Sequence, residues 1–288
     1  MNSCKVLVTG SGGMLATAVE STLKAEKAVT AVALTEKQLD ITNKDMVLET
    51  IASIKPDVII NTAAYTLSDK CEEDRETAIL VNGTAAGYVA RAAQTVGAKL
   101  IHISTDYIFD GEKEGPYTEE DKPNPISVYG LSKLIGEQEL ARFTDNYIII
   151  RTQWMFGENG KNFVDTIVRL ARQRSELKVV DDQYGCPTYT KDLAKVIQWF
   201  TENENIKGEV FNFSNEGVVS RYGFARKILK LADSITKLVP VDTAAFPMPA
   251  KRPHNSALDK TKIKRITGII IRPWYDALYE YMKNTRSI

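Results

Sequence analysis

Tyr129 and Lys133 stand at i and i+4 in the stretch ISVYGLSKLIGEQELARF, which follows Pro125. If that stretch is helical, a phenol and an ammonium share one face. Such a pair can act as an acid, because a phenol with an ordinary pKa of about 10 gives up its proton at neutral pH only when a cation steadies the phenolate. With 12 tyrosines in the chain, one such pair arises by chance, so its surroundings decide its meaning. The upstream run KLIHISTDYIFDG reads as a strand ending in Ser104 and Thr105, one helical connection earlier. Parallel sheets hold ligands at the carboxyl ends of their strands, and Thr105 would there donate a hydrogen bond to a carbonyl oxygen.

A third feature is KVLVTGSGGMLATAVESTLK, Lys5 to Lys24. The apolar run Val6, Leu7 and Val8 is broken by Gly10, Gly12 and Gly13, and Met14, Leu15, Val19 and Leu23 follow at helical spacing. The pattern is strand, tight turn, helix. Amides at that helix N-terminus, reinforced by the helix dipole, can hold a pyrophosphate without a basic side chain. In Gly10-x-x-Gly13-x-x-Ala16 an alanine stands where a third glycine would sit, and a methyl group still permits close packing of helix on strand. A glycine turn of this kind also serves proteins that bind no nucleotide.

The elements that must position these groups alternate. Strand-like runs at Val29 to Leu34, Val58 to Thr62, Lys99 to Ser104 and Tyr147 to Arg151 are separated by helical stretches, among them Lys44 to Ile54, capped by Asn43, and the alanine-rich Arg75 to Val96. Alternation predicts βαβ units, and near-continuous apolar strands such as DVII and YIIII predict a sheet covered on both faces. The expected fold is α/β, a doubly wound parallel sheet of the Rossmann-like kind with a smaller C-terminal α/β substrate-binding domain. The rhythm changes near Gln153, where loops carry Gly157, Gly160, Gly185 and Pro187, followed by FPMPAKRPHNS. Residues 1–152 are therefore expected to form the dinucleotide-binding domain, rejoined by segments near 178–215, with 153–288 mainly the substrate-binding domain. VFNFSN, Val210 to Asn215, reads as a late strand returning to the sheet.

Lys+Arg and Asp+Glu both number 37, so no global field draws the chain to nucleic acid or an anionic membrane. A small-molecule partner is expected. No apolar run approaches the roughly 20 residues of a membrane span, and Met1 to Lys5 lacks the regions of a signal peptide, which predicts a cytoplasmic protein. Cys4, Cys71 and Cys186 are scattered and odd in number, an argument against a disulfide framework or zinc cluster. Cys71, beside Lys70, is the one thiol whose polar surroundings admit reactivity, though no base is spaced near it. His102, inside an apolar strand, reads as structural, and His254 stands alone.

The glycine turn, the strand-end hydroxyl and Tyr-x-x-x-Lys together resemble the extended short-chain dehydrogenase/reductase superfamily. Further along, NTAAYTLSDKCE, STDYIFDG, YGLSKLIGE, RTQWMFG, DDQYGCPT and KRPHNSALD are similar to the dTDP-4-dehydrorhamnose reductase family, over nearly the whole chain. The resemblance implies reduction of the C4 ketone of dTDP-4-dehydro-L-rhamnose to dTDP-L-rhamnose, a step toward cell-surface polysaccharide. It implies catalysis by Tyr129, Lys133 and Thr105. Gly10, Gly13, Met14 and Leu15 would line the pyrophosphate, Asp40 and Ile41 the adenine side, and Ala63, Ala64 and Tyr65 a loop over the cofactor, with Lys133 on the nicotinamide ribose. Thr105, Asp106, Tyr107 and Trp154 would face the hexose, and Asn162, Gln183 and Arg252 the nucleotide diphosphate, Arg252 as a bidentate phosphate partner.

Structural roles compete for several of these residues. Trp154 would also plug a domain seam, Arg252 would serve as a solvated loop charge, and Asp40 would cap a turn. Asp106 reads as a turn residue, because Tyr107 follows it where dehydratases of the superfamily carry a second acid. At the end of the second strand Thr35, with Lys37 nearby, favours NADPH, while Glu36 keeps NADH possible. Ala18 stands where some family members carry a glutamate of a metal-bridged dimer, so no metal and a monomer or weak homodimer are expected. Two other functions share the pattern: a non-catalytic NADP-binding regulatory subunit of the methionine adenosyltransferase type, and a reductase of another nucleotide 4-keto sugar.

Overall fold

The computed structural model describes residues 4–26 and 28–285. Its first half runs β1 (Cys4–Thr9), α1 (Met14–Lys24), β2 (Val29–Leu34), α2 (Lys44–Ile54), β3 (Val58–Asn61), α3 (Ser68–Glu73), α4 (Arg75–Ile79), α5 (Ala85–Val96), β4 (Lys99–Thr105), α6 (Val128–Phe143) and β5 (Tyr147–Thr152). Asn43 caps α2, its side chain accepting from the Met46 amide at 3.1 Å. The stretch Arg75 to Val96, expected as one helix, is broken by a π turn at Leu80–Thr84. The cause is Asn82, which points inward: its Oδ1 accepts from the Tyr65 amide at 2.8 Å and its Nδ2 donates to the Tyr65 carbonyl at 2.9 Å. A single wide turn lets that side chain clamp the loop after β3.

The second half runs β6 (Met155–Phe156), α7 (Phe163–Ala171), β7 (Glu176–Val180), β8 (Tyr184–Gly185), β9 (Thr188–Tyr189), α8 (Thr190–Glu202), β10 (Glu209–Asn212), β11 (Val219–Ser220), α9 (Arg221–Leu231), β12 (Lys237–Val241), α10 (Thr261–Thr267) and α11 (Trp274–Asn284). Six parallel strands form the main sheet in the order β10-β5-β4-β3-β1-β2. β10 is the late strand that VFNFSN announces. Strand order reverses between β1 and β3, and the crevice outside their carboxyl ends is where such a sheet receives ligands.

Alternation along each strand builds two cores. Val6, Val8, Ile60 and Ile101 face Val19 of α1 and Ile197 and Phe200 of α8. Leu7, Ile59, Leu100 and Ile149 face Ile51 of α2, Val89 of α5 and Leu140 of α6. Each such side chain contributes ~1.5–3 kcal/mol on full burial, so covering both faces holds the strand ends in fixed register. A third cluster, with Phe156, Ile167, Phe224, Trp274 and Tyr281, gathers α7, α9 and α11. β7 lies beside β12 in a separate two-stranded parallel sheet, so the return to the main layer comes with α8 and β10. Among the described residues, no helix is long and apolar enough to cross a membrane, and no group of His, Cys, Asp and Glu could hold a metal ion.

Candidate active site

At the β1 turn Gly10 has φ +75°, and a Cβ there would lie 2.8 Å from the Ala63 backbone nitrogen and Cα. Glycine is required twice over, for the left-handed backbone and for the approach of the loop after β3. Gly13 begins α1 in extended conformation with no side-chain cap, so the first-turn amides and the dipole of α1 point toward the crevice. Ala16 is buried against the sheet, as close packing at the third glycine position demands. Asp40 is committed to its own turn: Oδ1 accepts from the Thr42 amide at 2.9 Å and from its hydroxyl at 2.7 Å. Ile41 is buried in the core beside α2, while Thr35 bonds Gln38 through both its amide and its hydroxyl. Ala63 lies against Gly10, and Tyr65 is held through its backbone by Asn82.

The Tyr129 phenol stands near Thr105 at the carboxyl edge of β4, close enough for the hydroxyl to act on its acidity. Gly130 makes the approach possible, since a Cβ there would lie 2.0 Å from the Tyr107 carbonyl oxygen. Burial pushes the Tyr129 phenol well above its ordinary range, against the lowering by Thr105, so the proton is held. This corrects the expectation that Lys133 lowers the phenol. The lysine turns to the rear, where Nζ donates to the Ile103 carbonyl at 2.6 Å and lies 3.3 Å from His102 Nε2. Burial pushes Lys133 down to about 8, and Glu137 opposes that fall from one turn along α6. Glu137 is itself fixed by Arg151, at 3.0 Å to Nε and 2.7 Å to Nη2, and by the Ser104 hydroxyl at 2.5 Å. Sequence reading missed Glu137, although its position four residues after Lys133 was the available signal.

Just after β4 Asp106 opens a short 3₁₀ turn, yet its carboxyl is buried, which corrects the plain turn reading. Thr105 Oγ1 donates to Oδ1 at 3.0 Å, Oδ2 has no partner, and burial pushes the carboxyl up to about 6. Tyr107 packs edge-on against the Tyr129 ring, with centroids 5.6 Å apart. Trp154 has φ +44°, a conformation a bulky residue adopts only when its surroundings impose it. Its ring lies 3.6 Å from the Arg221 guanidinium. Arg221 has no motif around it that spacing could flag. Gln153 was also missed; its Oε1 accepts from the Cys186 amide at 3.0 Å, leaving Nε2 buried and unpaired.

A cavity of about 620 Å³ adjoins this region, with Phe163, Ile167 and Met248 on its apolar walls and Gln183, Arg221 and Arg252 as polar lining. Apolar walls beside two guanidinium groups suit a flat base joined to a diphosphate. Arg252 is held at 2.8 Å by Asp69 of α3. Asn162 sits apart as the cap of α7: Oδ1 accepts from the Asp165 amide at 3.0 Å and Nδ2 donates to the Gly157 carbonyl at 3.1 Å. Cys71 is fully buried, its thiol pushed up to about 11 by burial, which removes its nucleophilic character.

The pattern described as RmlD substrate binding domain matches residues 4–287. The chain is 42% identical over 293 aligned positions to dTDP-4-dehydrorhamnose reductase of Aggregatibacter actinomycetemcomitans, covering 98% of each. Two crystal structures of dTDP-4-dehydrorhamnose reductases overlay on it. The one from Clostridium acetobutylicum has a TM-score of 0.95 and 40% identity, covering 98% of this chain and 99% of that one. The one from Bacillus anthracis, in complex with NADP, has a TM-score of 0.94 and 36% identity, covering 99% and 100%. With one pattern and one fold running almost end to end, the chain belongs to the RmlD family, that of the dTDP-4-dehydrorhamnose reductases.

Proposed function

We propose that the protein reduces the C4 ketone of dTDP-4-dehydro-L-rhamnose, with NADPH as reductant, to give dTDP-L-rhamnose. The observation that carries this reading is the Tyr129 phenol, its proton held by burial, set near Thr105 at the carboxyl edge of β4 and edge-on to the Tyr107 ring. The cradle at Gly10, which a Cβ would fill, and the uncapped start of α1 suit a dinucleotide pyrophosphate. Met14 and Leu15 would flank it, Thr35, Asp40 and Ile41 would take the adenosine end, and Ala63, Ala64, Tyr65 and Lys133 the nicotinamide end. When bound, NADPH supplies the hydride.

As the carbonyl carbon becomes tetrahedral, negative charge grows on its oxygen. Thr105 and Tyr129 stabilise that charge, and Tyr129 then gives it a proton. Lys133, already brought down to about 8 and one helical turn along α6, would turn its nitrogen from the Ile103 carbonyl and His102 toward the phenol to make good the proton Tyr129 has lost. Asp106, Tyr107 and Trp154 would orient the hexose, and Gln183, Arg221 and Arg252 the nucleotide diphosphate. Thr35 with Lys37 favours NADPH over NADH. The reading includes a cytoplasmic location and a monomer or weak homodimer.

Purified protein should oxidise NADPH when given dTDP-4-dehydro-L-rhamnose and form dTDP-L-rhamnose. Turnover confined to a different nucleotide 4-keto sugar would move the substrate assignment. No NADPH oxidation, together with tight association with another enzyme, would replace it by the regulatory-subunit function.

A further inference from the structure

His102 was expected to be only structural, yet it lies in a continuous buried chain. Thr9, Asn61 and His102 sit side by side on β1, β3 and β4, paired in register. All three are 1% exposed or less, and Lys133 is 2% exposed. Thr9 Oγ1 donates to Asn61 Oδ1 at 2.7 Å, Asn61 Nδ2 lies 3.1 Å from His102 Nδ1, and His102 Nε2 lies 3.3 Å from Lys133 Nζ.

The direction of the chain follows from its first member. The Thr9 hydroxyl gives its proton to the Asn61 oxygen, which turns the amide nitrogen toward His102. Nδ1 must then accept, and a neutral imidazole with an accepting Nδ1 carries its proton on Nε2. That N–H points at Lys133. A neutral amine receives it with its lone pair, whereas an ammonium would set N–H against N–H. The imidazole is neutral here, because burial and the neighbouring lysine hold its pKa well below the usual value.

We propose that Thr9, Asn61 and His102 are positioning residues for Lys133, a one-way chain of donors that favours its neutral amine and so makes its ammonium a readier proton source. The proposal rests on the reading that Lys133 restores the proton Tyr129 gives up. The proton count balances: the phenol proton passes to the alkoxide, a lysine proton makes good the loss, and the amine left behind accepts from His102 Nε2–H. The charged and titratable groups that act on the Lys133 nitrogen are His102 of β4, Glu137 of α6 and, paired to Glu137, Arg151 of β5; Tyr129 stands one turn back along α6.

Two measurements on the free protein test this. Nitrogen-15 NMR of the wild-type imidazole should show His102 protonated on Nε2 and bare on Nδ1; the opposite tautomer overturns the proposal. Thr9→Val keeps the shape of the side chain but no longer fixes the amide, so Asn61 and His102 can reverse and accommodate the ammonium. The Lys133 titration, followed through its ε carbon, should then move up by about one pH unit, the size of one hydrogen bond to a charged group. An unchanged or lowered titration overturns the proposal, and the wild-type tautomer decides the matter if Thr9→Val does not fold. Both readouts need no substrate, so absence of turnover would instead overturn the reductase reading.

Discussion

Replacing Glu137 by Gln tests how Lys133 is supported. The carboxylate holds Arg151 in a two-point ion pair whose side chains are 7% and 5% exposed, takes the Ser104 hydroxyl, and faces Lys133 one helical turn away. Glutamine keeps the volume but turns an amide NH2 toward one guanidinium nitrogen and leaves the Arg151 charge buried without a counter-charge. Removing one partner of a buried pair costs ~3–5 kcal/mol, at least about a fifth of the ~5–15 kcal/mol that holds a typical domain together. With a urea slope near the upper end of ~1–3 kcal/mol per molar, the unfolding midpoint should fall by about 1–2 M. The basic limb of the activity profile should also move to lower pH, because the charge that opposes the lowering of Lys133 has gone. Glu137→Leu combined with Arg151→Met should recover most of the lost stability, since the buried charge leaves with its partner. A midpoint shift below ~0.3 M for Glu137→Gln would refute this account of the pair.

Three further outcomes follow from the same geometry. Gly10→Ala places a methyl 2.8 Å from the Ala63 backbone at a φ of +75° and should weaken NADPH binding by at least ~10-fold, whereas Gly12→Ala, at φ +88° with open space around it, should cost less. Isothermal titration of NADPH distinguishes the two. Arg252→Gln removes the proposed two-point phosphate partner and should raise KM for the nucleotide sugar by ~10–100-fold with kcat little changed, as steady-state kinetics would show. The ammonium of Lys133 is present below about 8 and lost above it, so the rate of reduction should fall as pH rises through that value. A flat profile to pH 10 would separate Lys133 from catalysis.

Much of this architecture could be read from residue order. The glycine turn, the strand end at Thr105 and the Tyr129 helix are local patterns, and local patterns survive translation into structure because each is set by residues a few positions apart. VFNFSN was legible as a sixth strand for the same reason. The π turn was not, because it exists to let Asn82 reach the loop at Tyr65, a contact between distant segments. Arg221 on Trp154 and Asp69 on Arg252 are likewise products of folding, invisible to spacing. The direction of Lys133 was the main surprise. Helical spacing places it beside Tyr129, but only the burial of β4 and the Ile103 carbonyl and His102 ring explain why its nitrogen turns to the rear.

The most direct measurement is a single turnover of Tyr129→Phe preloaded with NADPH and mixed with dTDP-4-dehydro-L-rhamnose. Loss of the phenol should lower the rate of NADPH oxidation by ~100-fold or more, the scale of a positioned general acid, while NADPH binding stays within about threefold of wild type. Oxidation at the wild-type rate by the phenylalanine variant would show that another group supplies the proton, and would contradict the assignment of Tyr129.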